Sequence, residues 1–161
     1  MKTIDAQTHL RQQLGFARFY LSIAENADSL HAKRSVVQAI VFCLEEGVRA
    51  YCDDVLHLST LRLSQMIATC IKTGSSSDNF KQQELVSLAT SDESWLVLLA
   101  HLRDSVGMLS SEPGALPAST LIATSNTNTP HWLNVDTETL SALIDAISEL
   151  LVRHSDTDIE Y

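Results

Sequence analysis

Glycine and proline are scarce, with five and three in 161 residues. So few breakers leave little room for tight turns and favour long helices over a many-stranded fold. Basic residues are scarce too, eleven against twenty acidic ones, for a formal charge of −9. The counterion release that drives nucleic-acid binding needs clustered Lys and Arg, so this balance argues against a phosphate-backbone partner. It argues equally against an anionic membrane surface. Long apolar runs are missing: Ala39–Leu44 and Trp95–Ala100 are the longest, far short of the roughly 20 residues of a bilayer span. The opening stretch Met1 to Arg11 carries no apolar core of an export signal, which predicts a cytoplasmic protein. Cysteine is limited to Cys43, Cys52 and Cys70, an odd number without a CxxC. That pattern predicts reduced thiols rather than a disulfide framework or a zinc site.

What is present is a globular composition, 45% hydrophobic and 19% charged, in a length suited to one domain spanning 1–161. Leu10, Leu14, Ala17, Leu21 and Ala24 repeat at helical spacing, with Phe16, Tyr20, Ile23 and Ala27 as a second stripe, predicting a helix from Asp5 to Ala27. Asp28-Ser29 reads as a break and an N-cap. Leu30 to Leu58 then reads as the central helix, with Val37, Ile40, Leu44, Val48, Tyr51, Val55 and Leu58 on one face and Val36, Ala39, Cys43 and Ala50 on another. The short break predicts that these two form an antiparallel hairpin. Gly15 and Gly47 fall mid-helix, where glycine costs about 1 kcal/mol against alanine, and read as points of close helix approach in preference to a functional kink.

Ser59 reads as the cap of a shorter helix carrying Leu63, Met66, Ile67, Cys70 and Ile71 and closed by Gly74. A second short helix holds Leu85, Val86, Leu88 and Ala89. Thr90 and Glu93 read as a capping box opening a helix with Trp95, Leu99, Leu102, Val106 and Leu109 on one face. Residues 111–135 hold all three prolines and break the helical pattern. Within them, Ser119–Thr124 and His131–Val135 predict either a short β-hairpin or an extended loop that pins Trp132 and Leu133 to the core. Asp136 caps a last helix with Leu140, Leu143, Ile144, Ile147, Leu150 and Leu151, ending near His154, and the acidic tail 156–161 should fray. The expected fold is all-α: a bundle of four long helices with a short helical pair and a loop-rich insertion.

The best-ordered polar feature is Glu45, Arg49, Asp53 and His57, each four residues after the last. One helical ridge carries all four. Two readings stand side by side. The ridge is a solvated salt-bridge ladder, or it faces a groove where Arg49 binds an acidic group and His57 accepts a proton. No metal or cofactor is expected. The nearest fragments of a bundle metal site, Asp54-Val-Leu-His57 and His101-Leu-Arg-Asp104, do not match Glu-x-x-His, and neither HxxxH nor HExxH occurs. GxSxG, a Cys–His signature and a phosphate-cradling loop are all missing, so no catalytic residue is assigned. His154 reads as a partner for the negative end of its helix dipole.

The segments Phe16-Ala-Arg-Phe19, Phe42-Cys-Leu-Glu-Glu-Gly-Val-Arg-Ala-Tyr-Cys-Asp-Asp54 and Ser94-Trp-Leu96 resemble a family of small uncharacterised bacterial proteins, a domain of unknown function. The resemblance runs over residues 10–105 and implies a helical protein of a bacterial cytoplasm, without implying an activity. With no catalytic set assembled, the leading expectation is a non-enzymatic interaction or accessory protein, partnered by another protein or by itself. Phe16, Phe19, Tyr20 and Ile23 are its candidate surface. The alternative is a ligand- or metal-binding bundle, or an enzyme, built on the helix-two ridge.

Overall fold

The computed structural model describes residues 4–74, 76–108 and 131–156. Among them the chain forms six α-helices, α1 (Ala6–Glu25), α2 (Leu30–Leu56), α3 (Leu63–Thr73), α4 (Phe80–Thr90), α5 (Trp95–Met108) and α6 (Thr137–Asp156), plus a 3-10 turn at Trp132–Asn134 and no strand.

Local chemistry explains most of the starts. Asp5 caps α1 by accepting the Thr8 amide at 2.8 Å, and this bond with the Thr8 hydroxyl holds its carboxyl below the ordinary range. Ser29 accepts the Ala32 amide, Asn79 accepts those of Lys81 and Gln82, and Asp136 accepts that of Thr139. Each satisfies a donor that the first turn leaves without a helical partner.

Two expected caps lie elsewhere. Ser94 caps α5, its hydroxyl accepting the Val97 amide at 3.2 Å. Thr90 stays inside α4, where its hydroxyl donates to the carbonyls of Val86 and Ser87. Nor does Ser59 start α3. Arg62 holds the N-cap position with no side-chain cap, and the Leu63 amide is taken by Glu45 of α2.

Of the two readings for this stretch, the β-hairpin is not seen where the chain is described. His131–Val135 is a 3-10 turn with extended flanks rather than a strand. The Trp132 amide donates to Ser105 Oγ at 3.0 Å and the Leu133 amide to His131 Nδ1 at 3.2 Å. Amides bonded to side chains in this way cannot join a ladder. Ser119–Thr124, the other half of that hairpin, and the tail 157–161 lie outside the described residues. Trp132 packs against the core as expected, joined by Val135 rather than by Leu133, which is only half-buried.

The core is one cluster, drawn from α1 to α6. α2 touches α1, α3, α4, α5 and α6, so it is the central helix. Its residues Val37, Ile40, Leu44, Val48 and Tyr51 are buried, facing Leu10, Leu14 and Ala17 of α1 and Leu140, Ile144 and Ile147 of α6 among others. Gly47 sets the distance between α1 and α2: a Cβ there would stand 2.9 Å from both Gln13 Cβ and Leu10 Cδ1. No helix among the described residues is long and apolar enough to cross a membrane.

Candidate functional site

The α2 ridge is built into the connection between α2 and α3. Glu45 is only 5% exposed. Its Oε1 accepts the Leu63 amide at 2.9 Å, and its Oε2 lies 3.8 Å from Arg103 Nε. The Arg103 guanidinium carbon lies over the Phe42 ring, 4.1 Å from its centre, and the group is held below its ordinary value by burial and by the neighbouring Arg62.

One turn on, Arg49 Nη1 donates to Asp53 Oδ2 at 3.2 Å and to the Thr60 carbonyl at 2.9 Å, while Nη2 donates to Glu46. Burial works against the Arg49 charge, but Glu46, Asp53 and Glu45 outweigh it and raise its value. Asp53 is buried and accepts both the amide and the hydroxyl of Thr60, at 2.9 and 2.8 Å. Three of the four ridge residues therefore hold the 58–63 connection against α2.

His57 departs from the ridge. It ends α2 in the left-handed region at φ 55, exposed, and borders an open groove of about 790 Å³ with Asp53, Asp54 and His9. That groove is where the ridge comes nearest to the ligand-binding arrangement expected of it.

A second polar assembly was not foreseen. His154 of α6 is fully buried. The Tyr51 hydroxyl lies 2.6 Å from its Nδ1, and Glu84 Oε2 of α4 lies 2.9 Å from its Nε2. A carboxylate only accepts, so Nε2 carries the proton, and in the neutral ring Nδ1 then accepts from Tyr51. Arg153 donates to the other Glu84 oxygen, and Phe80 sets its ring edge-on to the imidazole. Burial pulls the His154 pKa down; the bond and charge of Glu84 oppose this, and Lys81 and Arg153 add to it. The imidazole thereby links α2, α4 and α6. The sequence does carry a signal for it: position 154 continues the buried series Ile147, Leu150, Leu151 at helical spacing.

Of the apolar residues singled out on α1, Phe16, Phe19 and Ile23 are exposed, whereas Tyr20 packs against the core. Phe16 is 52% exposed, Phe19 62% and Ile23 39%, while Tyr20 is half-buried with its ring 5.8 Å from that of Phe19. Leu10, Leu14, Ala17 and Ala24 fill the buried side of the same helix.

Among the described residues, no three His, Cys, Asp or Glu side chains gather where a metal ion could be held. The three thiols are free; burial raises those of Cys52, Cys70 and Cys43 above the ordinary thiol value, which disfavours the reactive thiolate. No protein-family model matches the chain, nor does any curated protein or solved structure.

Proposed function

We propose that this chain is a non-enzymatic helical interaction protein that docks a protein partner, or a second copy of itself, through the outer stripe of α1. One observation carries the reading: Phe16, Phe19 and Ile23 stay open to solvent on one side of a helix whose other side is buried. Covering a large apolar side chain is worth about 1.5–3 kcal/mol, so a partner that covers three gains a useful driving force. Charge does not oppose contact here. With its cap, α1 carries Arg11 and Arg18 against Asp5 and Glu25, a neutral element in a chain of charge −9. The family resemblance would place such a protein in a bacterial cytoplasm, and the acidic balance speaks against nucleic-acid partners.

The rival is a ligand-binding bundle, and the groove bordered by Asp53 and His57 is its support. Against it stand Glu45, Arg49 and Asp53, whose polar atoms already bond to Leu63, Thr60 and one another.

Native mass spectrometry and sedimentation of the wild type and of Phe19→Glu test the reading. Wild type should associate, and Phe19→Glu should be a folded monomer with an unchanged helical circular-dichroism signal. Loss of the fold in Phe19→Glu would place the ring in the core and overturn the reading. So would a wild type that stays monomeric and retains no protein through α1.

A further inference from the structure

The side of α1 that faces α6 carries a different surface. Arg11 and Arg18 stand seven residues apart, and Ser155 and Ser148 stand seven apart on α6, running the other way. Arg11 Nη2 donates to Ser155 Oγ at 3.0 Å, and Arg18 Nη2 to Ser148 Oγ at 2.6 Å. Each serine passes its own proton to the carbonyl four residues back, Leu151 or Ile144. The two rungs frame a groove of about 470 Å³ floored by Leu14 and Leu151, with Val152 at its lip 60% exposed.

Neither guanidinium is ion-paired among the described residues, although the chain holds twenty acidic side chains. A serine hydroxyl fixes the position of an arginine and leaves its charge uncompensated. It also engages one of five N–H donors. Two pinned cations without a direct ion pair thus face one groove, with Asp5 near Arg11 and Asp156 on the rim as their acidic neighbours.

Gly15 lies between them on the same side of the helix, four residues after Arg11 and three before Arg18. A Cβ added there would meet nothing within 4 Å. Close packing inside the chain, which accounts for Gly47, does not account for Gly15. Gly15 is exposed beside the groove, and the small notch its missing side chain leaves is open to approach from outside.

We infer that this face docks an amphipathic helix of a partner protein that carries two carboxylates seven residues apart with an apolar residue between them. Seven residues advance about 10.5 Å along either helix, so the acids fall on Arg11 and Arg18 together. The apolar side chain rests on Leu14, Leu151 and Val152, and the two backbones approach at Gly15, as helices packed 8–10 Å apart require. Asp156 stands on the rim and weakens the hold on an acid at its end of the groove.

The probe is a labelled, alanine-rich helical peptide with two glutamates seven residues apart and a leucine between them, titrated into the full chain by fluorescence anisotropy. Saturable binding should weaken with added salt, and roughly tenfold when the glutamates become glutamine, the scale of 1.4 kcal/mol. Arg11→Glu with Arg18→Glu should lose the glutamate peptide and gain one with lysines in those places. A helix clamp with no docking role would not show that exchange. Asp156→Asn should tighten binding, and Leu61→Gln, an exposed position in the α2–α3 connection, should leave it unchanged. Equal binding of glutamate and glutamine peptides by wild type, or no binding of either, would overturn the inference without touching the α1 stripe. If the double variant fails to fold, Gly15→Leu, which fills the notch, must still abolish binding.

Discussion

Tyr51 and His154 lie 103 residues apart in the chain and 2.6 Å apart in the fold. Their bond runs from the central helix to the last one, and Glu84 extends it to α4. A buried polar chain of this kind stabilises only when every member keeps its partners. Replacing Tyr51 with Phe keeps the ring and removes the hydroxyl, so His154 Nδ1 loses that donor inside the core. The expected loss is about 1–2 kcal/mol in urea unfolding, at an unchanged denaturant slope. An unshifted midpoint would show that the hydroxyl contributes nothing net.

Acid should loosen the same junction. Burial sets the folded pKa of His154 below its ordinary 6.5, with Glu84 only partly offsetting it. The unfolded chain therefore binds this proton at a higher pH than the folded one does, and protonation favours unfolding. Its contribution is complete above about pH 6.5 and is lost as the pH falls through the lower, folded value. Burial shifts His131 in the same direction, so the informative quantity is a difference between variants. Tm measured from neutral to mildly acidic pH should fall more steeply for wild type than for His154→Gln. Parallel curves would remove His154 as the source.

Asp53 should matter to stability more than an exposed helix charge does. Its carboxylate accepts from Thr60 twice and from Arg49 once. Asp53→Ala leaves those donors half-buried without it, at a cost of about 2–3 kcal/mol. Hydrogen exchange at the Thr60 amide should accelerate in parallel. Glu45→Gln keeps an oxygen for the Leu63 amide and gives up the charge facing Arg103, so its effect should be smaller. Should Asp53→Ala unfold at the wild-type midpoint with Thr60 still protected, the ridge would be free to serve a ligand instead.

The helices were legible because burial leaves a 3.6-residue record: Leu10, Leu14 and Ala17, Ile40 and Leu44, and Leu140 to Leu151 all face the core as their spacing predicts. Ser29 and Asp136 were legible because a cap bonds only three residues ahead. Ser94 was missed because Thr90 offers the same chemistry four positions earlier, and only the continued helix of α4 excludes it. The four-residue spacing correctly put Glu45, Arg49 and Asp53 on one ridge. What they hold, Thr60 and Leu63, comes from a connection whose path no local pattern fixes. Periodicity likewise marked the second apolar stripe of α1, yet it cannot say whether a neighbour covers it. For His154 the spacing was informative and the residue type misled, since histidine at a helix end suggests a surface partner for the dipole.

Alanine at the two mid-helix glycines should act with opposite signs. Both substitutions remove the same backbone penalty, about 1 kcal/mol in a helix interior. At Gly15 the new methyl enters open space, so Gly15→Ala should stabilise the chain by about 0.5–1 kcal/mol. At Gly47 it would press at 2.9 Å on Gln13 Cβ, an atom fixed to the α1 backbone, and on Leu10 Cδ1. Relief requires α1 and α2 to part along their shared seam, and overpacking of this kind costs about 1–3 kcal/mol. Gly47→Ala should therefore lower the denaturation midpoint while Gly15→Ala raises it. If both raised it, the α1–α2 seam would be looser than the burial of Leu10 and Ala17 indicates. If both lowered it, Gly15 would have a neighbour of its own within the chain, and its notch would not be free for a second helix.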